Sequence, residues 1–358
     1  MSAIMLVTFP MRPSTAQLVN HLECMKWYFE KAGNKRFRWI GLERRGNGSV
    51  SIRIAALIKT TDGSEEWKDF IIKTPFWGSD ALLKDEDELL KVIQGRHIIR
   101  RLCLPGNPLD QNLTVYGTHF PGPYVVLEYL ENGTLSEFIE RATTAEIPHL
   151  SNRLLWLMFR CLISMCIEME FPGASVSAGA DDSQRLMWDR TETGFRHPNL
   201  STGNILMGKY ESESADHQVC PVLKLTSFGR RYWDRYRQGR TDKISAPKEN
   251  LFSMGMIMQS LIILDDNASR RKGYFADGNA APTETQAGWL IPTPEFLWLD
   301  TELRRLVIHC AATDENDRPD LRSLWDHVQH RVTKQEASGT ADSDSQIRLL
   351  FQRLDYTL

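Results

Sequence analysis

Between Arg230 and Lys243 the chain sets six cations (Arg230, Arg231, Arg235, Arg237, Arg240 and Lys243) against Asp234 and Asp242. Tyr232, Trp233 and Tyr236 are interleaved with them. Cations alternating with aromatic rings can hold an acidic partner or a single-stranded nucleic acid, by charge and by stacking. The same run also suits a solvated loop that its aromatic side chains anchor. The six cysteines, Cys24, Cys103, Cys161, Cys166, Cys220 and Cys310, form no C-x-x-C pair and no metal-finger spacing. They read as reduced core residues rather than a disulfide framework or a metal centre. With 43 basic and 46 acidic side chains the net charge is -3, so no global field favours nucleic acid or membrane. Any charged partner needs a local patch.

The 358 residues, 42% hydrophobic and 25% charged, exclude wholesale disorder and suit one large or two medium domains. The apolar start, Ala3 to Val7, lacks a basic segment and is too short for a signal peptide. No apolar run reaches membrane length; the most apolar stretch, 154–169, is broken by Arg160 and Glu168. A cytoplasmic or nuclear protein is the expectation.

Ser14 and Gln17 form a capping box for a helix carrying Leu18, Leu22, Met25 and Phe29 on one face, giving an N-terminal helical extension over 1–34. From 36 to 76 the period changes to runs rich in Val, Ile and aromatic residues. These are punctuated by the hairpin signals Asn47-Gly48 and Asp62-Gly63. A helix over 80–94 and strands over 98–104 and 123–129 complete a β-rich region, 35–130. Beyond the turn at Asn132-Gly133 the chain is mainly helical to 333. The segment 152–169 is apolar on nearly all sides and so predicts a helix buried within the fold. Further helices are expected at 251–264, 296–311 and 320–333, with irregular stretches at 173–184 and 266–290. Residues 334–358 read as a disordered linker followed by a short amphipathic helix from Ile347 to Leu354.

A five-stranded antiparallel lobe with one helix, joined to a larger helical lobe, resembles the bilobal α+β fold of the protein kinases. Phe70-Ile71-Ile72-Lys73 is similar to the family's third-strand V-A-I-K. Glu86, thirteen residues later, stands in a helix as that lysine's ion-pair partner. Leu127 to Leu135 resembles the hinge, with Leu127 at the gatekeeper position. His197-Pro-Asn-Leu-Ser-Thr-Gly-Asn204-Ile-Leu206 resembles the catalytic loop H-R-D-L-x-x-x-N, and Leu225-Thr-Ser-Phe-Gly229 the D-F-G strand. Asn250 to Gly255 and Asp317-Arg318-Pro319 resemble the central C-lobe helix and the late D-R-P element. The resemblance covers residues 36 to 333. The insertion before His197 and the loop after Asn204 are also similar to divergent kinase-like proteins of filamentous fungi.

What the family's chemistry needs is largely absent. Asn199 stands where an aspartate orients the attacking hydroxyl, and an amide takes up no proton at neutral pH. General-base help is worth ~10²–10⁴-fold. Ser227 replaces the metal-binding aspartate, and Mg²⁺ requires hard, usually anionic oxygen ligands. No metal site is therefore expected, and Asn204 is the one ligand that could serve. Ser201 replaces the catalytic-loop lysine and Pro198 the arginine. The glycine loop keeps Gly48 and Val50, with Glu43 and Arg45 where two glycines belong, and Ile71 narrows the adenine pocket.

The resemblance thus implies a pseudokinase, a binding or regulatory scaffold with weak or absent ATP binding. If nucleotide binds, the positions that carry it are Gly48, Val50, Lys73, Glu86, Leu127, Glu128, Leu130, Asn204 and Leu206. The plainer reading of Lys73 and Glu86 is an ion pair holding helix to sheet. Arg318 is expected as a buried cation partnered by Glu249. The alternative is a divergent active kinase acting on protein Ser/Thr with ATP. Mg²⁺ would then need a substitute carboxylate, Asp181, Asp182, Asp189 or Asp234. A small-molecule phosphotransferase ranks last. The run from Arg230 to Lys243 falls in the activation segment and is the candidate contact for a protein partner, ahead of nucleic acid.

Overall fold

The computed structural model is α+β, with eight helices and a four-stranded antiparallel sheet among the described residues. It describes most of the chain from Thr15 to Tyr356. Residues 33–34, 46–48, 76–79, 110–113, 120–122, 174–187, 189–192, 212–216, 229–245 and 339–342, with a few single residues and pairs, lie outside the description. Two compact units form. One holds the chain up to Lys91 and Arg100–Tyr129; the other holds Val92–Ile99, Leu130–Phe228 and the described residues from Ala246 onward. Among the described residues no helix is long and apolar enough to cross a membrane.

In the first unit, β1 (Phe37–Arg45), β2 (Ser49–Lys59), β3 (Glu65–Pro75) and β6 (Val125–Glu128) make the sheet in the order β1-β2-β3-β6. A two-residue pair, β4 (Thr114–Val115) and β5 (Thr118–His119), lies outside it. β2 and β3 pair without a slip from Ser49↔Pro75 to Lys59↔Glu65. Their turn is set by Asp62-Gly63. Gly63 takes φ +87°, which glycine adopts without penalty, and the Asp62 carboxylate accepts the Ser64 N–H at 3.0 Å. The other expected turn, Asn47-Gly48, lies outside the described residues, although β1 and β2 flank it as an antiparallel pair.

The sheet has four strands where five were expected. Arg100–Leu102 touches β6 through Glu128 N–H to Arg100 O (3.0 Å), Leu102 N–H to Val126 O (2.8 Å) and one bridge, Arg101↔Leu127. The residues just before belong to the other unit, where Ile99 N–H donates to Leu225 O at 2.9 Å. Split this way, the segment is too short for a strand of its own.

Alternation along β2 sends Val50, Ile52 and Ile54 to one face, all fully buried. Helix α1 (Thr15–Trp27), with a π turn at Tyr28–Ala32, covers that face. Its Met25, with Tyr28 and Phe29, enters the same apolar layer as Ile52, Ile72 and Val126. His21 Nε2 reaches Thr74 Oγ1 of β3 at 2.8 Å. The N-terminal helix is therefore part of this unit rather than an appendage. Helix α2 (Asp80–Val92) buries Leu83, Glu86, Leu89 and Leu90.

The second unit is mainly helical. A reciprocal Thr134–Glu137 capping box starts α3 (Leu135–Thr144). α4 (Asn152–Glu170), capped by Ser151, is buried from Leu154 through Glu170, as its all-round apolarity predicts. The short strands β7 (Ile205–Met207) and β8 (Leu223–Leu225) pair with each other. α5 (Ala246–Ile263) passes the end of α6 (Thr301–Cys310) so closely at Gly255 that a Cβ would lie 2.8 Å from the Ala311 nitrogen. The region 266–290 is not wholly irregular, since β9 (Gly273–Phe275) pairs with β10 (Thr283–Thr285).

The short helix expected near the C-terminal end is present, while the start of the stretch read as a linker is helical instead. α7 (Leu321–Ser338) runs past 334, and α8 (Asp344–Arg353) begins at a Ser343–Gln346 capping box. α8 is docked through fully buried Phe351, whose ring lies 5.7 Å from Phe138, and by Arg153–Asp344 at 2.5 Å.

Two outcomes test the first unit. Phe29→Ala removes a ring from a fully packed layer and should cost about 3–5 kcal/mol, read from the urea midpoint. Burial lowers the His21 pKa from 6.5 to about 4. The folded state then binds this proton less readily than the unfolded chain. Its contribution to stability is complete above pH 6.5 and declines as the pH falls toward 4, a slope that His21→Gln should remove.

Candidate functional site

The sequence-derived positions fall into two groups, one in each unit. In the first unit Lys73 lies near the end of β3 and Glu86 in the second turn of α2. Lys73 Nζ donates to Glu86 Oε1 at 2.8 Å and to Oε2 at 2.6 Å. The residues are 9% and 3% exposed, so the ammonium is enclosed by a carboxylate that is itself out of water. Such a pair persists because each charge compensates the other's lost hydration.

Opposed residues of antiparallel strands share a face. The registers Ser51↔Lys73, Arg53↔Ile71 and Ile71↔Leu127 therefore put Lys73, Ile71, Leu127, Ser51 and Arg53 on one side of the sheet. Arg53 is committed there: its Nε donates to Asp69 Oδ2 at 2.9 Å, and its guanidinium lies 3.9 Å from the Tyr129 ring centre. Val50 is not with them. It opposes Thr74 on the other face and is fully buried in the layer beneath α1. Val50, expected with Lys73 among the positions that would carry a nucleotide, lies one step of strand register away and so on the opposite side of the sheet. Glu128 is half-buried and accepts the Arg100 N–H at 2.8 Å. Gly48 lies outside the described residues.

In the second unit the segment 197–204 is held by a dense set of hydrogen bonds. His197, 3% exposed, donates its backbone N–H to Asn250 Oδ1 at 3.0 Å, while Asn250 Nδ2 donates to Phe195 O at 2.8 Å. The Asn199 N–H donates to His197 Nδ1 at 3.2 Å, and His197 Nε2 lies 3.1 Å from Thr226 O. An Nδ1 that accepts and an Nε2 that must donate to a carbonyl fix the neutral Nε2–H tautomer. Phe228 packs edge-on against that ring, centroids 5.0 Å apart.

Asn204 Nδ2 donates back to Asn199 O at 2.8 Å, and its own carbonyl accepts the Thr226 N–H at 3.0 Å. Asn199 is exposed and Ser201 half-buried. Ser227 has φ +71°, a left-handed conformation that costs a non-glycine residue about 1–2 kcal/mol. Leu130 and Leu206 are half-buried. The turn that follows Leu130 is tied to the end of β7 by Asn132 Nδ2 to Gly208 O (2.7 Å) and Met207 N–H to Gly133 O (2.8 Å).

Arg318 is buried, but its direct partners are carbonyl oxygens: Ala312 O at 2.9 Å, Lys248 O at 3.1 Å and Thr313 O at 3.3 Å. Glu249 instead pairs with Arg196 at 3.0 Å and acts on Arg318 only as a nearby charge. Arg196, Glu249, Thr313 and Arg318, with Asn199 and Arg270, border an open polar cleft of about 500 Å³.

Sequence reasoning missed one carboxylate. Asp266 accepts hydrogen bonds from Thr202 Oγ1 and Ser136 Oγ, one on each oxygen. No local signal marks it, because its partners lie 64 and 130 residues away. Asp181, Asp182, Asp189, Asp234 and the run from Arg230 to Lys243 lie outside the described residues.

The arrangement can do two things chemically. The first group presents a closed ion pair beside apolar Ile71 and Leu127. The second presents a rigid loop of amides and hydroxyls without a carboxylate at Asn199 or Ser227. Breaking the ion pair from one side strands a buried charge, so Lys73→Ala should lose about 3–5 kcal/mol without any nucleotide present. Replacing both partners, Lys73→Met with Glu86→Leu, should recover most of that loss in the same denaturant titration.

No family model matches the chain, and no curated protein matches it in sequence.

Proposed function

We propose that this chain is a pseudokinase: a bilobal, protein kinase-like domain that acts as a binding or regulatory scaffold and binds ATP weakly or not at all. The observation that carries the reading is the pairing of a retained structural element with lost chemical groups. Lys73 and Glu86 form a closed, buried pair at 2.6–2.8 Å. Asn199 and Ser227 stand where phosphoryl transfer requires a proton-orienting group and a metal ligand.

The hydrogen bonding of the loop supports the same reading. Asn204 spends its amide N–H on the Asn199 carbonyl, 2.8 Å away, so it contributes to loop shape. The His197–Asn250–Thr226 bonds likewise hold a conformation without supplying a base. Asp266, the carboxylate in contact with this loop, has both oxygens occupied by hydroxyl donors. A scaffold needs the shape, and shape is what these bonds maintain. Its partner on this reading is another protein, met through the basic segment from Arg230 to Lys243.

Thermal unfolding with millimolar ATP or ADP, each with and without Mg²⁺ or Mn²⁺, tests the proposal. A ligand at a hundred times its dissociation constant adds about 2.7 kcal/mol to native stability. The expected result is no shift, or a small shift independent of metal. A metal-dependent shift accompanied by transfer of the γ-phosphate, lost in Lys73→Met/Glu86→Leu, would establish a divergent kinase instead.

A further inference from the structure

His97, Cys161 and His217 are 64 and 56 residues apart in sequence and meet in the interior of the second unit. His97 precedes the segment that pairs with Leu225, Cys161 sits in the middle of α4, and His217 lies in the turn before β8. Their exposures are 3%, 1% and 1%. One donor atom from each, two ring nitrogens and a sulfur, lies within 4.8 Å of the other two. The two rings are 5.3 Å apart at 60°.

From this geometry we infer a buried site for one borderline-soft cation of the zinc type, ligated by His97, Cys161 and His217. The ligand chemistry fits: imidazole nitrogen and thiolate sulfur are the donors that Zn²⁺ takes, at about 2.1 and 2.3 Å. Such a shell has donor–donor separations of roughly 3.5 Å, so closing it requires donor movements of about 1 Å or less. Rotamer adjustment supplies that.

The surroundings of His97 are those of a positioned ligand. Its Nδ1 lies 3.0 Å from the Leu223 carbonyl, which can only accept. Nδ1 therefore carries the hydrogen, and Nε2 is left with the lone pair that binds metal. A ligating histidine whose other nitrogen is held by a carbonyl is the usual outer-shell arrangement. The His97 backbone is pinned as well: Glu168, a buried carboxylate of α4, accepts the N–H groups of His97 at 2.8 Å and Arg96 at 3.0 Å. Gly95 makes that approach possible, since a Cβ there would lie 2.2 Å from the Glu168 carboxyl carbon. Cys161 stands on a helix buried on nearly every side, so its sulfur is presented by rigid backbone. Coordination releases the thiol proton to solvent and leaves a thiolate opposite the dication.

The site is independent of nucleotide binding, so its test does not share an outcome with the thermal-shift experiment above. The unaltered chain purified from zinc-supplemented medium without chelator should carry one zinc per chain by elemental analysis. X-ray absorption at the zinc edge should show one sulfur and two imidazole nitrogens in the shell. Protein refolded with Co²⁺ should show a thiolate-to-cobalt charge-transfer band that Cys161→Ser abolishes and Cys310→Ser, at a buried thiol outside the cluster, leaves intact. Metal-free protein that takes up no Co²⁺, a zinc shell built of oxygens, or a band that persists in Cys161→Ser would overturn the assignment. The absorption measurement uses the unaltered chain, so it decides the matter even if Cys161→Ser fails to fold.

Discussion

A lysine ammonium enclosed by both oxygens of a buried carboxylate is the interaction on which the sheet-and-helix unit depends. Lys73 and Glu86 join the end of β3 to α2, and neither charge is tolerable at 9% and 3% exposure without the other. Around them the sheet is asymmetric. One face, under α1, is an apolar layer of Ile52, Ile72, Met25 and Phe29. The other carries the ion pair together with Arg53, Asp69 and Leu127. The apolar face supplies the burial that lets the polar face exist, because dehydration of a charge pair must be offset elsewhere.

The larger unit solves a related problem with neutral groups. His197, Asn199, Asn204, Thr226 and Asn250 satisfy one another through backbone and amide hydrogen bonds of 2.8–3.2 Å. A carboxylate at Asn199 or Ser227 would add charge to the loop, whereas an amide and a hydroxyl leave it neutral. On the proposed reading, the loop has kept the bonds that give it form and shed the groups that gave it reactivity. Just past this network, the left-handed Ser227 carries backbone strain.

Two additions flank these units and consolidate them. α1 seals the sheet, and α8 brings Phe351 and Tyr356 against Phe138, with ring centroids 5.7 and 5.9 Å away. Both helices lie near the ends of the chain, yet both bury aromatic side chains. Each therefore contributes folding free energy on the scale of a core element rather than a tail.

Local patterns determined much of this protein. The β2–β3 hairpin was legible because Asp62-Gly63 needs only its own backbone to turn. α4 was legible because apolarity on every side leaves a helix nowhere to lie but inside. The Lys73–Glu86 pair was suggested only by the resemblance of Phe70-Ile71-Ile72-Lys73 and of Glu86 to the third strand and helix of the protein kinases. Pairing and packing decided the rest. The register of β2 against β3 put Val50 on the face away from Lys73, and parity in a strand depends on its neighbour. The split of 98–104 between two units removed a strand that its own residues favoured. Arg318 found carbonyls in place of Glu249, since the ends of α5 and α6 bring backbone closer than side chain. His97, Cys161 and His217 have no spacing that a motif could register, and they converge only because a buried helix passes between two distant turns. Sequence rules act over a few residues, while a site assembled across more than a hundred exists only once the core has closed.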